Sequence, residues 1–171
     1  RNGVPDDARW RRSRVRELLA YLVVRGKATR EELMDALWPS LHRDAAANNL
    51  KVTLSYLLRA LAGDDAPPTP SYFVRTEGDH LVLVGTDRLD VDAWRFPRLV
   101  AEAAGAEHDG VLSAAFDRGL AAVTLWDDPY LSTVDAPWAE DEYERLRAIF
   151  VSTALRTGEL GLAVGDALTA D

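Results

Sequence analysis

Three amphipathic helix patterns followed by a β-hairpin pattern constrain the fold of this chain more than any other feature. Apolar residues recur at spacings of three and four in residues 13–25, in a short segment after Thr29 and in residues 44–62, so each segment carries one apolar stripe. Two runs of β-type residues then lie at 72–75 and 81–84, on either side of a glycine-containing turn. Such a chain must bury three helical stripes against one another and add a small sheet.

Local signals predict where the first two helices end and begin. Gly26 is a suitable stop for the first helix, because glycine adopts the backbone conformation that ends many helices without strain. Thr29 and Glu32 have the spacing of a capping box, in which each residue satisfies a free hydrogen-bonding group of the other. Trp38 precedes Pro39 and is therefore pushed out of the helical conformation, which ends the second helix.

The patterns in the second half of the chain predict only helices. Asp92 is the predicted N-cap of one helix and Asp109 that of the next, while a long third helix is predicted from about Pro137. Gly158 and Gly161 predict a break in this long helix, before a final short helical stretch. The chain as a whole is therefore expected to be mainly α.

The predicted organisation is two small domains, residues 1–88 and residues 89–171, the second of them truncated at its C-terminus. Since the first residue is Arg rather than Met, we expect the sequence to be a piece of a longer protein. No apolar run approaches the roughly 20 residues needed to span a bilayer, and no signal-peptide pattern is visible. The absence of cysteine excludes disulfides and thiolate metal ligands. We expect a cytoplasmic protein with no membrane partner.

Charge is distributed unevenly along the chain. The net charge is −8, yet residues 1–59 contain 12 Lys and Arg against 7 Asp and Glu, whereas residues 91–171 contain 6 against 15. Asymmetry of this kind indicates a nucleic-acid partner for the basic part, although two domains can also differ in charge without one.

Three helices followed by a hairpin predict a winged helix-turn-helix with a short β-hairpin wing, followed by an all-α domain. The major groove of DNA is about 12 Å wide and accepts one α-helix. Opposite its leucines, the third helix offers amides for adenine edges, cations for phosphates, a hydroxyl donor and a valine for thymine methyl groups. The predicted DNA contacts on this helix are Asn48, Asn49, Lys51, Val52, Ser55, Tyr56 and Arg59. Arg75 and His80, which flank the wing tip, are the predicted contacts of the wing.

A less specific interpretation of the third helix is an ordinary amphipathic surface helix with a polar outer face. Val52 and Tyr56 are not charged, so contact with another protein explains them equally well. The alternative function is therefore a protein-interaction or signalling module with a winged-helix fold that no longer binds DNA.

The sequence contains no catalytic constellation. His42, His80 and His108 are widely separated and lack the spacing of metal ligands. Neither a phosphate-binding glycine loop nor a nucleophile elbow occurs. The acidic runs at 127–128 and 140–142 are interpreted as a turn and a helix start, where negative charge meets the positive end of the helix dipole. We expect no enzyme activity, no cofactor and no bound metal.

Several segments resemble the SARP/AfsR family of regulators, which join an OmpR-type winged helix to a bacterial transcriptional activator domain. The resembling segments are residues 14–22, 29–39 and 46–61 in the first half, and residues 89–96, 120–131 and 138–155 in the second. The same segments also resemble the regulator domains that are attached to large MalT-like signalling ATPases.

The resemblance implies a TPR-like activator domain and sequence-specific regulation through direct repeats in promoter DNA. It also implies side-by-side protomers, a homodimer for example, that help to recruit RNA polymerase. Asn49, Lys51, Thr53 and Ser55 fall on the recognition-helix motif of the family.

Two features depart from the family pattern. Tyr56 and Leu58 stand where many members carry basic residues. The strands expected before the first helix are largely missing from residues 1–9, which is expected to leave Tyr21 and Val24 without their sheet.

Overall fold

The computed structural model describes residues 12–62, 73–84, 89–126, 130–131 and 134–169. The helices are α1 (Ser13–Arg25), α2 (Arg30–Leu37), α3 (Arg43–Ala62), α4 (Asp92–His108), α5 (Leu112–Leu125) and α6 (Pro137–Thr169). The strands are β1 (Lys27–Thr29), β2 (Val74–Glu77) and β3 (His80–Leu83). Within these described ranges, the expected mainly α class, with a β-hairpin after three helices and only helices after the hairpin, is confirmed. None of the helices in this described part of the chain has the length and apolar character needed to cross a membrane.

Backbone contacts divide the chain into two compact units. The first contains Arg1–Leu89 together with Leu131–Glu140, and the second contains Asp90–Tyr130 together with Asp141–Asp171. Each unit has buried side chains of its own, and each is described separately below.

The first unit is built around leucines from the three predicted helices. In these helices, the leucines with at most 1% of their surface exposed are Leu18, Leu22, Leu33, Leu37, Leu50 and Leu57. They come from the apolar stripes of α1, α2 and α3, so the periodicity of the sequence correctly predicted this core. Burying a leucine completely contributes roughly 1.5–3 kcal/mol, and this set therefore supplies much of the driving force for packing the three helices.

A three-stranded antiparallel sheet accompanies these helices, in the order β1-β3-β2. The sequence patterns predicted the hairpin but missed β1, which has only three residues and pairs Ala28 with Leu81 of β3. Ala28, Leu81 and Leu83 are buried, so the sheet turns one face into the core of the unit. The backbone N–H of Arg30 donates to the carbonyl oxygen of Asp79 at 3.0 Å, which ties the start of α2 to the tip of the hairpin.

The hairpin turns more tightly than the sequence predicted. Glu77 pairs with His80, so its loop consists of Gly78 and Asp79 alone. Gly78 has a φ of 65°, a conformation that glycine adopts without the penalty other residues incur. The predicted strands at 72–75 and 81–84 are therefore displaced, because the two-residue turn extends the pairing to the residues beside it.

In the second unit, α4, α5 and α6 enclose a small apolar core. The buried members are Phe96, Leu99, Ala122 and Leu146, and aromatic residues such as Trp126 and Phe150 pack against them. The rings of Trp126 and Phe150 stack with centroids 4.8 Å apart. Tyr130 packs against the same core, and burial, with a smaller effect of Glu142, raises the pKa of its hydroxyl to about 12.

Two predicted N-caps in this unit were wrong. The residue that caps α4 is Val91 and the one that caps α5 is Val111, and neither forms a side-chain capping bond. Asp92 instead lies in the first turn of α4, where its charge still faces the positive end of the helix dipole. Asp109 ends α4 rather than starting α5.

The predicted break at Gly158 and Gly161 was also wrong, since α6 continues through both residues. A Cβ atom at Gly161 would come within 2.9 Å of the Phe116 ring, so the missing side chain makes room for α5. Glycine inside a helix costs roughly 1 kcal/mol relative to alanine. Here close packing between helices offsets that cost, and the glycine does not end the helix.

Tyr21 is covered by an aromatic residue of α6. Its side chain is only 8% exposed, and its ring meets the edge of Trp138 with centroids 5.1 Å apart. Both residues belong to the first unit, because that unit includes Leu131–Glu140. Val24, the other residue named with it, is half-buried. The strands expected before α1 fall on residues 1–9, outside the described residues.

The predicted capping box at the start of α2 is present. The Thr29 hydroxyl accepts a hydrogen bond from the Glu32 backbone N–H at 3.1 Å, and the Thr29 backbone N–H donates to the Glu32 carboxylate at 2.7 Å. We predict that Thr29→Ala lowers the free energy of unfolding by about 1 kcal/mol in urea denaturation, the usual cost of a lost N-cap. Thr29→Ser, which keeps the hydroxyl, should stay close to wild type, and equal losses in both variants would contradict the capping role.

The same hydrogen bonds predict a pH effect. The bonds from the Thr29 backbone and side chain hold the pKa of Glu32 below its ordinary value of 4.5. Because the folded-state pKa is the lower one, the stabilisation is fully present above the ordinary pKa and is lost as the pH falls through the folded-state pKa. Carboxyl titration by NMR should place the Glu32 midpoint below 4.5 in the wild type and higher in Thr29→Ala.

Candidate nucleic-acid interface

Helix α3 is held in the first unit by one face. Ala46, Leu50 and Leu57 are buried, with at most 2% of each exposed. Ala47, the next residue after Ala46, is exposed. The helix is therefore anchored along one stripe, and the opposite side faces solvent.

The solvent-facing side of α3 carries most of the predicted contacts. Asn48, Lys51, Ser55 and Arg59 are exposed at spacings of three and four, so their side chains follow one another along the helix. Val52 lies beside them with 46% of its surface exposed. We call these five residues the exposed stripe. It offers an amide, a hydroxyl, two cations and one methyl-bearing side chain within three turns of helix.

The two cations of the exposed stripe have no acidic partner within the described part of the chain. No ion pair joins Lys51 or Arg59 to an Asp or Glu there, whereas Arg43, at the start of the same helix, pairs with Glu31 at 3.1 Å. An unpaired exposed cation can neutralise a phosphate without first breaking an internal ion pair. The charges best placed for an anionic partner are therefore those of the exposed stripe.

The predicted wing contacts have a different environment. Arg75 is exposed but forms an ion pair with Glu77 at 3.0 Å, and His80 lies 2.7 Å from the carboxylate of Asp79. Any phosphate that approached the wing would compete with these two acids. The structure therefore places more available positive charge on α3 than on the hairpin.

Three of the predicted contacts on α3 lie off the exposed stripe. Thr53 is only 8% exposed, and Asn49 and Tyr56 are half-buried. Together with Val52 they line a groove of about 360 Å³, whose other side is formed by the start of α1 and by Trp38. Their spacing in the sequence placed them on the outer half of α3, but only the packing of α1 shows which flank is covered.

Arg12 is a residue of this region that the sequence analysis did not single out. It belongs to residues 1–59, whose excess of Lys and Arg indicated a nucleic-acid partner without pointing to single residues. Its guanidinium lies over the ring of Tyr56, 3.8 Å from the ring centroid. No local signal pairs residues so far apart in the sequence, so this contact depends on the tertiary fold.

The described residues contain no group of three or more His, Asp or Glu side chains placed to hold a metal ion. The groups that the candidate interface offers to a partner are hydrogen-bonding side chains and charges.

Residues 91–170 match the family model of the bacterial transcriptional activator domain. This match confirms the predicted resemblance of the second half of the chain to a bacterial transcriptional activator domain. No curated protein matches the chain.

A solved structure shares the fold. The chain is similar to Mycobacterium tuberculosis EmbR, solved in complex with a low affinity phosphopeptide, with a TM-score of 0.80 and 22% sequence identity. The similarity covers 97% of this chain and 43% of the EmbR chain, so this chain spans less than half the length of that protein.

Because the exposed stripe is not part of the core, its side chains should be dispensable for folding. We predict that Lys51→Ala and Arg59→Ala each change the free energy of unfolding by no more than about 0.5 kcal/mol, as is usual for surface residues. Leu57→Ala, on the buried face of the same helix, should cost roughly 2–5 kcal/mol. Denaturant unfolding of the three variants checks this, and a large loss in Lys51→Ala or Arg59→Ala would mean that the cations support the fold.

Proposed function

We propose that this SARP-type regulator binds promoter DNA in a sequence-specific manner through residues 1–88, with residues 89–171 as the activator domain. The observation that carries the proposal is the exposed stripe of α3. It presents hydrogen-bonding and positively charged side chains on a helix whose other face is anchored in the core. A recognition helix needs this combination of a rigid base and a free polar face.

The side chains of the exposed stripe suit the groove of a duplex. An α-helix with its side chains is roughly 10–12 Å across, which is close to the roughly 12 Å width of the major groove. The Asn48 amide can donate to and accept from an adenine edge, and Val52 can contact a thymine methyl group. Lys51 and Arg59 neutralise phosphates, which fixes the position of the helix without reading the sequence.

The charge distribution also supports DNA binding by the first half of the chain and protein contacts by the second. Residues 1–59 carry a net charge of +5 and residues 91–171 a net charge of −9. A positive field near the reading helix speeds the approach to DNA and supplies binding free energy that depends on salt. The acidic second half suits contacts with proteins better than contacts with phosphates.

In the activator role, we propose that two copies of the chain bind adjacent promoter repeats side by side and help to recruit RNA polymerase. The matching activator-domain model supports this role for residues 91–170. The homodimer and the polymerase contact follow from the family resemblance.

A second candidate is a protein-interaction module without DNA binding. It is favoured by exposed apolar residues, namely Val52 on α3 and Leu155 and Leu162 on α6, which are 46%, 68% and 73% exposed. Retention of a protein partner in a pull-down, with no shift of any genomic DNA fragment, would support this candidate against DNA binding.

The phosphate contacts should be visible in the salt dependence of binding. We predict that Lys51→Ala and Arg59→Ala each weaken binding to selected promoter DNA and reduce the slope of log K against log salt by about 1, because each variant releases one fewer counterion. Fluorescence anisotropy from low to moderate salt measures both quantities. Arg147→Ala is the matched control, since Arg147 is a similarly exposed arginine on α6 that pairs with Glu144. Binding that ignores salt, or that is unchanged in Lys51→Ala and Arg59→Ala, would overturn the proposal.

Base reading should depend on the amide of the exposed stripe. We predict that Asn48→Ala costs about 1–3 kcal/mol against the preferred site and relaxes the preference at one base pair, while binding to scrambled DNA hardly changes. Selection from a random DNA library, run in parallel on the wild type and the variant, measures this. An unchanged selected sequence would show that Asn48 does not read a base.

A further inference from the structure

A groove lies beside the exposed stripe, and the DNA contacts proposed above do not involve its arginines. It lies within the first unit, between the start of α1 and the flank of α3, and encloses about 360 Å³. Arg12, the residue before α1, lines it together with Ser13 and Arg14 of α1, and Asn49 and Tyr56 are among the residues that line it from α3. It opens on the same helix that carries the exposed stripe.

The described residues that line the groove include two arginines and no Asp or Glu. Arg14 forms an ion pair with Glu17, so its charge is largely neutralised. The guanidinium of Arg12 lies on Tyr56, an uncharged partner, and keeps its full charge. Ser13 and Asn49 add a hydroxyl and an amide, both of which can donate hydrogen bonds. The groove therefore has the charge and donors suited to an anion.

The contact between Arg12 and Tyr56 also holds the cation in place. A guanidinium stacked on an aromatic face, here 3.8 Å from the ring centroid, keeps its N–H groups at the edge of its plane free to donate. Fixing a long side chain before binding reduces the conformational entropy lost when the ligand arrives. The ring of Tyr56 thus holds Arg12 ready to donate hydrogen bonds to an oxyanion such as a phosphate.

We propose that Arg12, held by Tyr56, binds a phosphate of the DNA backbone next to the bases read from the exposed stripe. This inference rests on the proposed function and adds a phosphate contact outside α3. Tyr56 is a positioning residue, acting through Arg12 rather than on the DNA. Tyr56 stands at a position where many members of the family carry a basic residue. Here Arg12, the residue before α1, supplies the positive charge instead.

The first test compares two alanine variants of the 171-residue chain, one at Arg12 and one at Arg16. Arg12→Ala should weaken binding to selected promoter DNA by roughly three- to tenfold and reduce the salt slope by about 1, as the loss of one phosphate contact does. The loss should be equal on scrambled DNA, because phosphate contacts carry no sequence information. Arg16→Ala is the matched control, since Arg16 is an exposed arginine of α1 that does not line the groove.

The second test addresses Tyr56. Tyr56→Phe keeps an aromatic face under the guanidinium and should bind DNA like the wild type. Tyr56→Leu keeps an apolar side chain but removes the ring, and should weaken binding several-fold. In the Arg12→Ala background the same leucine substitution should have no further effect, because Tyr56 acts through Arg12. Thermal unfolding of every variant separates a loss of binding from a loss of fold.

The outcomes distinguish this inference from the proposed function. If Lys51→Ala weakens binding but Arg12→Ala behaves like Arg16→Ala, the phosphate contact is overturned while DNA binding stands. If Arg12→Ala lowers the melting temperature and leaves the salt slope unchanged, the arginine only covers Tyr56, and the inference is also overturned. If the wild type shows no salt-dependent binding to any duplex, both proposals fail.

Discussion

The pairing of β1 with β3 is the constraint on which the organisation of the first unit depends. The three residues of β1 pair with β3, and the last of them, Thr29, is also the N-cap of α2. One short segment therefore fixes the hairpin and the start of the second helix together. The hydrogen bond from Arg30 to the carbonyl oxygen of Asp79 repeats the link at the hairpin tip. With α2 held in this way, the turn after it directs α3 across the core.

The candidate interface follows from how α3 is anchored. Leu50 and Leu57 are almost completely buried on one side of the helix. Because that side packs in the core, the opposite side lies in solvent. A residue on the flank of the helix, such as Tyr56, is half-buried, and its ring contacts the guanidinium of Arg12. The interface thus combines three environments around one helix: a buried anchor, an exposed polar stripe and a partly covered groove. The proposed DNA contacts use the second, and the further phosphate contact uses the third.

In the first unit, features that depend on neighbouring residues were predicted well, whereas the N-caps predicted at Asp92 and Asp109 in the second unit were wrong. The bounds of α1 and the capping box of α2 follow from the spacing of Leu18 and Leu22 and from the pair Thr29 and Glu32, because helix stripes and caps are decided within one or two turns. The strand β1 was missed, since three residues carry too little periodicity and their pairing partner lies far along the chain. The break predicted in α6 failed for a related reason, because the space that Gly161 leaves is filled by a distant phenylalanine.

The sequence by itself determined the order of the helices and the hairpin, the leucine core of the first three helices and the asymmetry of charge between the two halves. These properties depend on residue type and on spacing along the chain. Only the tertiary structure decided that Thr53 is covered while Ser55 is exposed, that Trp138 covers Tyr21, and that Arg12 lies on Tyr56. Each of these contacts joins residues that are distant in sequence or depends on which flank of a helix its neighbours cover, and periodicity contains no information about either.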